Sequence, residues 1–237
     1  MLAISGAGRS ATVARAPRFG DGKTFVTAEP PLPADKPIGI IFPRGYGATT
    51  VSLWVAYFMA LLVIYLLNGW LPTIMKDAGM SISMAAKLTA MFQIGGTVGT
   101  VVGWTMDRVR PAFVIGAAYL GGGLCVLALS QMGVLSPGLA VLVFSAGFCM
   151  SGAQTGLNAY APGCYPTLAR ATGVSWMLGM GRSGSILGSA VGGALLVLGW
   201  SFGAIFAVLA VPAICAAVAI VSTQLGRARA TSAAVAH

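Results

Sequence analysis

The sequence predicts an all-α integral membrane protein, a bundle of six transmembrane helices behind a polar N-terminal tail. Three observations carry this. Of 237 residues, 57% are hydrophobic and only 8% are charged, against about 25% charged in a soluble globular domain. The mean hydropathy is +0.86. The apolar residues fall into six runs of roughly 20, the length that spans a hydrocarbon core of about 30 Å. An ordinary water-soluble enzyme is thereby excluded. The net charge of +9 would suggest a nucleic-acid partner on a soluble domain. Here the basic residues are thinly spread and no basic cluster stands beside exposed aromatics, so the expected partner surface is the lipid bilayer and no nucleic acid.

Residues 1–48 form the tail. They hold Arg9, Arg15, Arg18, Asp21, Lys23, Glu29, Asp35, Lys36 and Arg44, together with six of the twelve prolines, the composition of a solvated, Pro-rich segment. Its basic start is not followed by the 7–15-residue apolar core of a secretory signal. The six spans, together 49–222, are then expected at 49–71, 84–106, 111–131, 138–160, 171–197 and 201–222, with 223–237 as a C-terminal tail. Short breaks separate them. Pro72, Lys76 and Asp77 follow the first span; Asp107, Arg108, Arg110 and Pro111 the second; Pro137 the third; Pro162, Pro166 and Arg170 the fourth; Gly199 and Trp200 the fifth.

Six spans put both termini on one side of the membrane, and basic residues say which. Arg9, Arg15, Arg18, Lys23, Lys36, Arg44, Arg108, Arg110, Arg170, Arg227 and Arg229 fall on the side of the termini; Lys76 and Lys87 fall opposite. Cationic loops stay in the cytoplasm, so both ends are expected there and the bundle in the inner (plasma) membrane.

The spans differ, and the differences repeat after three. On the first, Trp54, Tyr57, Tyr65 and Asn68 share an arc of roughly 80°, and on the fourth, Ser151, Gln154, Thr155 and Asn158 share roughly 100°. Each is a polar stripe, able either to bond a neighbouring helix or to line a cavity. The second span places Gly95, Gly99 and Gly103 four apart and the fifth does the same with Gly184, Gly188 and Gly192. Each is a flat seam for close backbone approach, serving plain packing or a moving interface. Gln93 and Arg182 stand two residues before the first glycine of their seams, about 200° away from it. The third and sixth spans are almost wholly apolar and suit lipid-facing support. Stripe, seam, support, twice over, is the order of a three-plus-three inverted repeat.

Arg182 is the exceptional residue. A cation at the middle of a span costs at least about 2.5–3.5 kcal/mol. It either bonds carbonyls inside the bundle or faces a wet cavity where a carboxylate can pair with it, and the second reading is favoured. The spans carry no Asp or Glu. Trp54 and Trp70, near span ends, read as interfacial anchors. Cys125, Cys149, Cys164 and Cys215 lack metal-ligand spacing and read as packing residues. His237 ends the sequence and belongs to no cluster. No metal, cofactor or enzymatic centre is expected.

Three stretches, LLVIYLLNGWLPTIMKDAG (61–79), FQIGGTVGTVVGWTMDR (92–108) and GFCMSGAQTGLNAYAPGCYPTLARATGVSWMLGMGRSGSILG (147–188), resemble the C-terminal half of the aromatic acid:proton symporters of the major facilitator superfamily. The resemblance covers about 45–222, with the tail similar to the end of the family's central loop. It implies half of a twelve-helix fold and inward carriage of small aromatic carboxylates, hydroxybenzoate- or benzoate-like, with protons. Arg182 would be the carboxylate partner, with Tyr57, Tyr65, Asn68, Gln93, Gln154, Asn158 and Trp176 around the cavity. The seam glycines would act at the interdomain interface, with Gly103, Asp107 and Arg108 matching the superfamily's Gly-x-x-x-Asp-Arg turn. A full member has six further spans and the acidic motifs that handle protons. The chain is therefore expected to be a truncated form inactive alone, a half active with a partner half-transporter, or a non-transporting structural or regulatory membrane protein.

Overall fold

The computed structural model describes residues 47–106, 108–133, 136–165 and 167–235. Residues 1–46 of the expected tail, Asp107 and His237 lie outside them.

The first helix, α1, runs Gly47–Asp77, through Pro72. A break was expected at that proline, which removes the N–H that would reach the Asn68 carbonyl. In a bundle, neighbouring helices tolerate such a gap, and the helix ends instead at Gly79, whose φ is +95°. There the Met80 N–H bonds the Met75 carbonyl at 3.1 Å and the Gly79 N–H that of Lys76 at 2.9 Å. Met75 and Met80 are both buried, completing a Schellman closure. Helix α2, Ile82–Gly99, starts at Ser81, whose hydroxyl accepts the Met84 N–H at 3.4 Å. It stops short of the expected end at 106. Thr97, Val98, Thr100, Val101 and Val102 crowd χ1 against the preceding turn, and the chain tightens to three-residue bonds, Thr100 to Thr97 at 3.3 Å and Val101 to Val98 at 3.1 Å. A short α3, Val102–Thr105, follows.

Helix α4, Pro111–Gln131, begins with proline at its first turn as its sequence requires. Helix α5, Leu139–Tyr160, leads into a 3₁₀ turn at Ala161–Cys164. Helix α6, Thr167–Val197, starts before the expected 171 and closes at Gly199, φ +68°, with the Trp200 N–H on the Leu195 carbonyl at 3.2 Å. Helix α7, Phe202–Val235, runs on past the expected end at 222.

Four helical stretches are long and apolar enough to cross a membrane: Gly47–Asp77, Pro111–Gln131, Leu139–Cys164 and Phe202–Thr223. Helices α2 and α6 are not among them: Lys87 and Gln93 in α2 and Arg182 in α6, together with glycine, serine and threonine, make them less apolar.

The expected repeat is visible in who packs on whom. Helix α1 lies against α6 and α5 against α2; α4 packs on α5 and α7 on α1; α4 and α7 join the halves. Seam helices therefore pack on the stripe helix of the other repeat. Lipid is as apolar as leucine, so burying Leu53, Leu66 or Ile115 gives little net drive between helices here, and close approach decides the association. Cβ atoms on Gly95 and Gly99 would collide with the carbonyls of Phe144 and Phe148, and Cβ atoms on Gly184 and Gly188 with those of Phe58 and Leu62. The backbones touch, a geometry that Cα–H···O contacts reward.

Candidate functional site

The site is built where α1, α5 and α6 meet. Tyr57 of α1 is 5% exposed, and the Cδ1–Cε1 edge of its ring lies against Gly181 of α6, where no side chain could fit. Gln154 and Asn158 of α5 stand near the Tyr57 hydroxyl, with Tyr65 and Arg182 in electrostatic range. Arg182 follows Gly181, so the backbone that seats the phenol also sets the guanidinium beside it. Arg182 is exposed, and the described residues supply no acidic side chain to pair with it. Asn158 is exposed and Gln154 half-buried, so these four residues border an open face.

Aromatic and amide groups extend this wall along α1. At one end Trp54 stacks on Trp176 of α6, ring centroids 5.9 Å apart and 28° between planes. At the other, the Gln93 amide of α2 donates to Asn68 Oδ1 at 2.8 Å. Tyr65, between them, is 48% exposed. From Trp54 to Asn68 the helix rises about 21 Å, so α1 carries three groups along its length: the Trp54–Trp176 stack, Tyr57 with its neighbours, and the Asn68–Gln93 pair.

Two members of the stripes turn elsewhere. Ser151 sits over Gly96, its Oγ 2.7 Å from where a Cβ there would stand. Thr155 donates back to the Ser151 carbonyl at 3.0 Å.

The glycines carry a correction. Gly95, Gly99, Gly184 and Gly188 close inside the bundle, and Gly192 lies under the Trp70 indole. The seam faces are thus occupied by α5 and α1. The faces α2 and α6 turn outward carry Met91, Ile94, Val98, Trp176, Ile186 and Leu187, all exposed. Gly103 belongs to no seam, since a Cβ there would meet nothing within 4 Å; the break at Thr100 takes it off the helix face. Arg108 stacks over the Trp104 ring at 5.4 Å. Trp70, read as an interfacial anchor, donates its indole N–H to the Ser189 carbonyl at 2.7 Å and clamps α1 to α6.

Sequence reasoning missed Tyr119 of the support helix α4. It is 0% exposed, and its hydroxyl donates to Gln154 Oε1 at 2.9 Å. A lone phenol on an otherwise apolar helix was the available signal, because a buried hydroxyl needs a partner. Gly181 was missed as well.

The family model described as Major Facilitator Superfamily matches residues 53–235. Among curated relatives, the chain is 53% identical over 220 residues to a gallate transporter of Pseudomonas putida, covering 92% of this chain and 49% of that protein. It is 46% identical over 202 residues to the 4-hydroxybenzoate transporter PcaK of Pseudomonas putida, 84% and 45% respectively. It is 35% identical over 182 residues to a benzoate transport protein of Acinetobacter baylyi, 76% and 39%. The chain spans about half the length of the curated relatives it matches. Apolar helices and relatives together make it a multi-pass membrane protein.

Proposed function

Because the chain belongs to the Major Facilitator Superfamily, we propose that it works as the C-terminal, six-span half of a proton-coupled carrier of small aromatic carboxylates, with both termini in the cytoplasm and the bundle in the inner membrane. The observation that carries the reading is the convergence of Arg182, Tyr57, Gln154 and Asn158 on one open face. A guanidinium and a phenol beside two amides suit a carboxylate, which accepts several charge-assisted hydrogen bonds at once. Trp176 and Tyr65, both exposed, offer faces for an aromatic body. The printed names of the relatives, gallate, 4-hydroxybenzoate and benzoate transporters, support the same class of ligand.

In this reading the ligand carboxylate offsets the cost of holding Arg182 in the membrane. A second bundle covers the exposed faces of α2 and α6, and rocking between the bundles opens the Arg182 site alternately to each side. Asp77, at the very end of α1, is the one carboxylic acid in the described spans, so this reading assigns the protonated group to the partner half. The role is transport, with no catalytic step. An exposed Arg182 on α6, costly against lipid, favours a half that acts with a partner over one that acts alone.

The test is Arg182→Gln in this chain, produced together with the N-terminal half of the gallate transporter, with uptake of labelled gallate and 4-hydroxybenzoate as readout. Leaving a buried carboxylate unpaired costs about 3–5 kcal/mol, so uptake is expected to fall more than about 100-fold while membrane insertion is unchanged. Unaltered uptake would overturn the role of Arg182, and saturable uptake by the chain alone would overturn the need for a partner.

A further inference from the structure

The support helix α4 reaches into the binding face at one point. Tyr119 has no exposed surface and lies behind Gln154, on the side away from the open face. Its hydroxyl donates to Gln154 Oε1 at 2.9 Å. A carbonyl oxygen can only accept, so the direction of this bond is fixed by chemistry. Gln154, half-buried at the edge of the open face, is left with its amide N–H groups for whatever stands in front of it. Those N–H groups are donors on the face that also carries Arg182.

We propose that Tyr119 is a positioning residue that sets the hydrogen-bond polarity of the site: by holding Gln154 Oε1 it turns the Gln154 amide N–H groups towards the ligand, so Gln154 and Arg182 together select an acceptor-only group such as a carboxylate. The proposal rests on reading this face as an anion site. Without the Tyr119 hydroxyl the Gln154 amide is free to turn over and present its oxygen in place of its N–H groups. A carboxylate then faces an acceptor with no proton to offer. A carboxamide can donate as well as accept, so it pairs with Gln154 in either state.

The experiment uses the chain produced together with the N-terminal half of the gallate transporter and purified in lipid nanodiscs, with equilibrium dialysis of labelled 4-hydroxybenzoate and 4-hydroxybenzamide reporting binding. A hydrogen bond is worth about 1 kcal/mol net and more when charged, so Tyr119→Phe is expected to weaken the carboxylate about five- to tenfold and the carboxamide by less than about twofold. In a Gln154→Leu background the same substitution is expected to have no further effect, since both partners are then apolar and the polarity is gone. Equal weakening of both ligands, an unchanged carboxylate affinity, or an effect that persists in the Gln154→Leu background would each overturn the proposal. A ligand-free arm separates it from the site reading: in chain labelled with ¹³C-glutamine, loss of the Tyr119 bond raises the Gln154 carbonyl stretching frequency in Tyr119→Phe. An unshifted band overturns the positioning role whatever binds. A shifted band with no carboxylate binding to the wild type overturns the anion site and leaves the polarity standing.

Discussion

Gly181 joins the phenol and the guanidinium of the site, and its lack of a side chain is what permits it. A Cβ there would press into the Tyr57 ring and against Leu61. The ring cannot retreat, because α1 packs against α6 over its length. Gly181→Ala is expected to displace Tyr57 at an overpacking cost of about 1–3 kcal/mol, weakening 4-hydroxybenzoate binding about tenfold in a tryptophan-fluorescence titration while membrane insertion is unchanged. Wild-type affinity in that variant would mean that the ring position does not matter. At this scale the charged and amide members of the site were legible in the sequence. A polar group in lipid is expensive enough to demand a reason, and Arg182, Gln154 and Asn158 announce themselves that way. Tyr119 and Gly181 do not. One is a single phenol whose partner sits 35 positions further along, and the other looks like its many neighbouring glycines until the ring above it is known.

The elements depend on backbone contact, and this gives the glycines unequal weight. Gly184→Leu is expected to separate α6 from α1, and Gly99→Leu to separate α2 from α5, each lowering stability by about 3 kcal/mol or more, the upper end of overpacking costs. Gly103→Leu is expected to change stability by less than about 0.5 kcal/mol, because nothing stands within 4 Å of it. Thermal unfolding in detergent compares all three, and equal losses would contradict the assignment of seams. The seam spacing was readable from the sequence, but its partner was not: a four-residue glycine repeat says a backbone comes close without saying whose. Helix ends were half legible. Proline at 111 starts a helix as written, whereas Pro72 was taken for a stop because the compensation for its missing N–H comes from neighbouring helices.

At the scale of the molecule, the two repeats and the sidedness of charge make one statement about orientation. If Arg108 and Arg170 face the cytoplasm, Lys76 and the α4–α5 turn face the other side. Single cysteines at Ser136 and Lys76 in a cysteine-free background are expected to react with an impermeant maleimide added outside intact cells, and cysteines at Arg108 and Arg170 only after permeabilisation. The reverse pattern would overturn the topology. Alternation of stripe, seam and support made the repeat legible. The glycine-rich composition that revealed the seams also lowers the hydropathy of α2 and α6, so apolarity and packing pattern identify different helices.

The pairing of each seam helix with a stripe helix of the other repeat has a consequence for synthesis. Trp70 and Ser189, which clasp α1 to α6, are 119 positions apart, and at about 5–20 residues per second the ribosome needs roughly 6–24 seconds to deliver the second after the first. Throughout that interval α1 stands in the bilayer with its docking face bare, and α2 waits likewise for α5. Helices α1, α2 and α4 cannot finish packing before α5, α6 and α7 arrive, so the molecule matures as a single late step, and the insertion machinery or lipid must shelter the waiting faces until it does.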